Sequence, residues 1–550
     1  MKRLLLAAVI AGFPLMAAAQ TTAPDLIVHH GKVFTADPAH RWAEAVAIRG
    51  NRIVAVGTNT EIAALAGDAT KRVDAGGRVV VPGFNDAHTH QGPRPPESFE
   101  LSLDPDPTWD LANAGLVNGA DETAGDIWIF GTIGPKLLAD PAVTREALNK
   151  AAGGRKVMLS SWTGHGQIFS TAAMDALRIR DTSTDPAGGW YERNAKQQLT
   201  GKMFEYAGWN AERRLAETVS DTDAIDQLKT FSDQALAFGI TSIQNMSMLS
   251  LARYEKVERH GPAAIRIRMI RFPMTESGRV TEGTNLPVTD RERPLSIISG
   301  TKWILDGTPV EQGAGVRRPY PGGGENLGRL DFPPDEINAI MKEAFESKEQ
   351  TFLHVAGDRT SAAVFDAMRA VGPAEEWRKK RVRFEHGDGL QADLIPLAKE
   401  FGIVVVINPT HFIARAAYPP GDYMPVKSLL NAGVPIALGS DGPMNPGLNL
   451  MFATTAPHRP AEALTREEAV EAYTRGSAYA EMMENDKGML APGKVADLAV
   501  LSQDIFRVPA DKLPETVSVM TIVDGVIALD SWTLKHEGFP VPRPRRSEGE

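Results

Sequence analysis

The sequence contains no cysteine in its 550 residues. Disulfides, thiolate metal sites and a lipid anchor on an N-terminal cysteine are thereby excluded, so any metal must rest on nitrogen and oxygen ligands. An excess of basic residues is also missing. The net charge of −10 argues against the basic face of a nucleic-acid binder. No G-x-S-x-G motif offers a serine nucleophile, and no Gly-rich dinucleotide fingerprint follows the first strand-like runs. The apolar run from Leu4 to about Met16 is shorter than the roughly 18 to 20 residues of a spanning helix. It follows Lys2 and Arg3 and precedes Ala17-Ala18-Ala19, the pattern of a secretory signal peptide cut after Ala19. A periplasmic or secreted protein, free of the membrane once processed, is the expectation.

The remaining composition is that of a folded globular chain, with 43% hydrophobic and 23% charged residues, and a disordered or collagen-like class does not fit. Its length calls for several domains or for one large barrel with an attached unit. DLIVHHGKVFTADPAHRWAEAVAIRGNRIVAVG reads as short strands punctuated by Gly31, Gly50-Asn51 and Gly57, and RVDAGGRVVVPG as a hairpin around Gly76-Gly77. GMLAPGKVADLAVL and SVMTIVDGVIALD repeat that style near the other end. Gly488 to Lys494 imitates the start of a P-loop, but Val495 stands where a magnesium-binding Ser or Thr is required, so a turn is expected.

Between these β segments, TSIQNMS, SIISGTKWILDG, TFLHVAG, RVRFEHG, IVVVINP and PIALGSDG alternate with helix-length amphipathic stretches. That alternation predicts a parallel α/β architecture, a (β/α)8 barrel ahead of a doubly wound sheet. The Pro- and Gly-rich stretch from about 93 to 160 reads as an insertion near the site.

VVVPGFNDAHTH ends an apolar strand with His88 and His90, which two-residue spacing puts on one face. His354, His386 and Asp441 likewise close apolar runs and precede glycines, where barrel strands open into their C-terminal loops. Imidazole with oxygen ligands suits zinc, iron, manganese or nickel better than calcium.

PGFNDAHTH, HVAGD, RFEHGD and LGSDGP, followed by GMLAPGKVADLAVL and TIVDG, resemble the amidohydrolase superfamily, and more narrowly its amidohydrolase-3 branch, which includes N-substituted formamide deformylase. The resemblance implies a distorted TIM-like barrel at 83–487 and a β-sandwich assembled from 20–82 and 488–540, with the signal at 1–19 and a tail at 541–550. It implies that His88 and His90 bind a metal, that His354 and His386 complete the site or bind a second ion, and that Asp441 touches the metal and handles protons. It also places Lys302 where relatives carry a carboxylated lysine bridging two metals. A bare ammonium has no acceptor and cannot ligate, whereas a carbamate can. The alternative is an unmodified Lys302 paired with Asp306. His165 matches a histidine facing the substrate carbonyl. Ser170 and Asn408 depart from the family's usual Asn and Gln, which puts substrate contacts in question.

The implied chemistry is hydrolysis of a carbon-nitrogen bond in an amide, N-acyl or N-formyl small molecule. A metal-activated hydroxide would attack, with Asp441 as general base and acid. One or two zinc ions are the expected cofactor. A deaminase, an ester hydrolase and a non-catalytic periplasmic binding protein are the rival readings, and a homodimer is compatible with the sequence. Specificity is expected from the insertion and from loops around Trp162, Arg317-Arg318 and Phe412. Glu385, adjacent to His386, is expected to face away from the site.

Overall fold

A computed structural model describes residues 23–261, 263–275 and 295–539. The expected signal peptide and the 541–550 tail lie outside the described residues. Eight parallel strands form a nearly closed barrel: Phe84–Thr89, Ile240–Met246, Arg266–Arg271, Ser296–Ile304, Thr351–Val355, Arg383–His386, Val404–Ile407 and Ile436–Leu438. They neighbour one another in sequence order, and most are covered by helices such as Asp221–Ala237, Pro334–Glu346 and Asp358–Val371. Asp221–Ala237 begins where the Ser220 hydroxyl accepts the Asp223 N–H, and it buries Leu228, Ala235 and Leu236 on one face.

The seam between the first and eighth strands is closed by polar groups. Asp441 donates its N–H to His88 O at 2.9 Å, and Ser440 donates to the Asp86 carboxylate at 2.8 Å. The approach is so close that a Cβ on Gly439 would stand 2.5 Å from His88 Cβ. Only glycine fits there.

Both chain ends contribute to two sheets that share a core of Val28, Val33, Val46, Val80, Val500 and Ile522, among others. Val79–Pro82 pairs antiparallel with Leu498–Leu501 and leads through Gly83 into the first barrel strand. The expected hairpin at Gly76-Gly77 is instead a crossover. Lys71–Asp74 pairs with Leu26–His29 in one sheet, while Val79–Pro82 belongs to the other. Gly488 to Lys494 is a turn bound to the sandwich through the Leu490 and Gly493 N–H groups, as its missing magnesium ligand requires.

The insertion is larger than 93–160. Its six-stranded sheet runs from Ser98–Leu101 to Leu199–Glu205, because Gly166–Phe169 adds antiparallel to Lys156–Ser161, Leu199–Glu205 adds to Gly166–Phe169, and Gly189–Arg193 adds to Leu199–Glu205.

Candidate metal centre

The barrel interior beneath the site is polar. Arg383 donates to Glu385 at 2.8 and 3.0 Å and to Ala87 O at 2.7 Å, and also reaches Gln244. Both charges are fully buried, so each depends on the other. Burial alone would raise the Glu385 pKa, but Arg383 and His88 hold it down at about 2.

Glu385 therefore does not face away, contrary to the alternation argument. It points inward with Arg383 and lies 2.6 Å from His88 Nδ1. His386 also reaches the interior because its backbone leaves strand geometry, with φ +73°. Asp441, at φ +40°, shares that uncommon left-handed backbone.

Above this layer the imidazoles converge. His88 Nε2 and His90 Nε2 stand 3.2 Å apart. Asp441 lies 3.5 Å from His88, 3.8 Å from His90, 3.7 Å from His386 and 3.6 Å from His411. His354 packs on His386 with ring centroids 4.4 Å apart, and His165 packs on His354 at 4.6 Å. Lys302 and His354 join His90, His165, His386 and Asp441 in lining a cavity of roughly 570 Å3.

The protonation states suit ligation. Burial pushes His90 down to about 3 and lowers His88, His354 and His386, leaving neutral rings with lone pairs. For Asp441, burial acts upward, but His88, His411 and His90 hold the carboxyl below its ordinary value. Glu385 takes the other nitrogen of His88, the arrangement that fixes a ligating imidazole's tautomer. The residues fit a divalent ion.

Burial lowers Lys302 to about 8, which brings a reactive free amine within reach near neutral pH. Asp306, its alternative partner, instead accepts N–H groups from Ala356, Gly357 and Gly315 at 2.9 to 3.1 Å. His165 donates through Nδ1 to the Glu205 carboxylate at 2.7 Å. Burial works against its charge, but Glu205 prevails and raises its pKa.

All seven sequence-expected site residues meet here, and His411 joins them. Other expectations change. Ser170 caps the helix Thr171–Ala176 and bonds Arg155 and Val157, so its departure from Asn lies in a structural cap. Asn408 is buried, and its amide has no hydrogen-bond partner among the described residues. Trp162 lines the cavity, but Arg317 pairs with Asp393 at 2.7 Å, Arg318 bonds Pro420 O, and Phe412 lies in the core. Glu205 and Arg383 carry no sequence signal of their own. They act through His165 and Glu385.

The model of the amidohydrolase family Amidohydro_3 matches residues 71–529. N-substituted formamide deformylase of Arthrobacter pascens is 26% identical, covering 92% of this chain and 98% of its own. Protein LONG AFTER FAR-RED 3 of Arabidopsis thaliana is 25% identical, covering 91% and 90%. The fold is shared with an uncharacterized metal-dependent hydrolase from Pyrococcus horikoshii OT3, at TM-score 0.69 and 19% identity, over 88% of this chain and 99% of that one. A match over so much of the chain settles the family: the protein belongs to the Amidohydro_3 amidohydrolases, hydrolases of carbon-nitrogen bonds.

Proposed function

We propose that the protein hydrolyses an amide, N-acyl or N-formyl bond of a small molecule at the mouth of the barrel. The convergence of His88, His90, His386 and Asp441, the last three of which line the cavity, carries this reading. The near full-length likeness to a formamide deformylase supports the N-formyl and N-acyl end of the substrate range. His88, His90, His354, His386 and Asp441 would hold one or two divalent ions. Zinc fits this nitrogen-oxygen set, as do iron, manganese and nickel. Lys302, as a carbamate, would supply bridging oxygens. Such an ion acidifies water toward neutrality and polarises a carbonyl.

The chain's own groups then divide the work. Asp441, whose carboxyl is held below its ordinary value, accepts the proton of the attacking water and returns it to the leaving nitrogen. His165, kept protonated by Glu205, donates to the substrate oxygen as charge builds on it. The mature chain is proposed to work outside the cytoplasm after cleavage at Ala19.

A panel of N-formyl, N-acyl and amide substrates, assayed with ammonia detection and metal analysis, tests the reading. Wild type should release the amine and carry metal, and Asp441→Asn should lose a factor of about 10²–10⁴ in kcat. Full turnover by Asp441→Asn would sink the mechanism. Ammonia release from exocyclic amines alone would mark a deaminase, and tight ligand binding without turnover a binding protein.

A further inference from the structure

A second group of metal-capable side chains lies in the β-sandwich. His29, His30 and Asp74 each offer one ligand atom, and these atoms lie within 4.8 Å of one another. Consecutive strand residues normally point to opposite faces. Here the two rings are in edge contact, with centroids 4.3 Å apart, because Leu26–His29 ends at His29 and His30 takes φ +52°. Asp74 stands opposite His29 on the parallel strand Lys71–Asp74. One of its oxygens is 3.2 Å from His30 Nδ1, and the other accepts the Gly76 N–H at 2.8 Å.

The main chain holds this cluster firmly. Ala75 donates to His29 O at 2.8 Å, Gly77 to His30 O at 2.7 Å, and His30 to the Asn59 side chain at 2.7 Å. His29 Nε2 is buried with no hydrogen-bond partner among the described residues.

We propose that His29, His30 and Asp74 form a second metal site, separate from the barrel centre, that takes one zinc, copper or nickel ion. Two imidazoles and one carboxylate select such ions over calcium and magnesium, which prefer all-oxygen shells. Three protein donors leave room for water, so the ion is exchangeable rather than enclosed. It cross-links two strands of the five-stranded sheet, and the edge strand Lys535–Glu537 pairs on Lys71–Asp74 from the other end of the chain. Occupancy therefore stabilises the unit in which both chain ends meet. A bare ion pair between His30 and Asp74 is the competing account. Such a pair, half in solvent, contributes little and leaves His29 unused.

The test uses the full mature chain with its barrel centre loaded, dialysed against graded zinc and, separately, nickel, with elemental analysis. Wild type should take up one ion per chain beyond the barrel content, and zinc should raise its unfolding temperature. His30→Gln and Asp74→Asn should each weaken that ion at least about ten-fold and abolish the thermal gain, with turnover unchanged. Because His30 is half exposed, its variant should fold even where His29→Gln does not. Equal ion number and affinity in wild type and both variants would establish the bare ion pair and overturn the proposal.

Discussion

At the level of single residues, the carboxylate of Glu385 shows how a charge deep in a barrel serves a site above it. Its oxygens are shared between Arg383 and His88, so one group satisfies a buried guanidinium and orients the imidazole of a candidate ligand. Glu385→Gln keeps the shape but loses the charge. It should weaken metal binding about 10- to 100-fold in a chelator competition, with little change in circular dichroism. The same group makes a pH prediction. Its folded pKa, about 2, lies below the usual 4.5 because Arg383 and His88 overcome the upward push of burial. The stabilisation is therefore present above about pH 4.5 and lost as the pH falls toward about 2. Urea melts between pH 5 and 2.5 should show a steeper acid loss for wild type than for Glu385→Gln, and parallel curves would refute the assignment. The residue was visible in RVRFEHG, but its role was not, since alternation alone sends it away from His386. The left-handed turn at His386 that brings both residues inward has no composition signal.

Among the elements, the seam between the first and eighth strands is where the fold and the site become one structure. His88 contributes both an imidazole and the carbonyl that accepts the Asp441 N–H, so strand closure positions two of the candidate ligands together. Gly439→Ala forces a methyl group against His88 Cβ and backbone. The strain should cost about 1–3 kcal/mol and reduce bound metal. A urea melt and elemental analysis check this, and unchanged values for both would show that the seam can yield. Sequence reading reached the barrel because several of its strands are apolar runs ending in a polar residue and glycine. It missed Arg266–Arg271, written RIRMIR, whose arginines look like a solvent face. In the structure Arg268 is buried and bonds Ser299 and Gln350, while Ile267 and Met269 pack in the core. The insertion was misjudged for a related reason. Its later strands are joined by long-range antiparallel pairing, and local pattern does not encode which sheet a strand joins.

Across the whole molecule, the two chain ends bear on the site through a short chain of contacts. Leu498–Leu501 pairs with Val79–Pro82, Gly83 donates to Asp497 O at 3.0 Å, and the next strand carries His88 and ends just before His90. Asp497 also binds Arg266 of the third barrel strand at 2.7 Å, and Asp524 binds the same guanidinium at 2.6 Å. Arg266 thus joins barrel and sandwich through a largely buried pair of carboxylates, and two strands of the sandwich depend on it for charge balance. Removing the guanidinium leaves Asp497 nearly buried beside no cation, at a cost of about 2–4 kcal/mol. Arg266→Met should accordingly lower the unfolding temperature by several degrees. The informative quantity is the shape of the transition. If sandwich and barrel form one cooperative unit, wild type melts once, metal removal lowers that single midpoint, and Arg266→Met either shifts it or splits it in two. Calorimetry with and without chelator reads this directly. Two separate wild-type transitions, only one of them sensitive to metal, would show that the chain ends fold independently of the centre they flank.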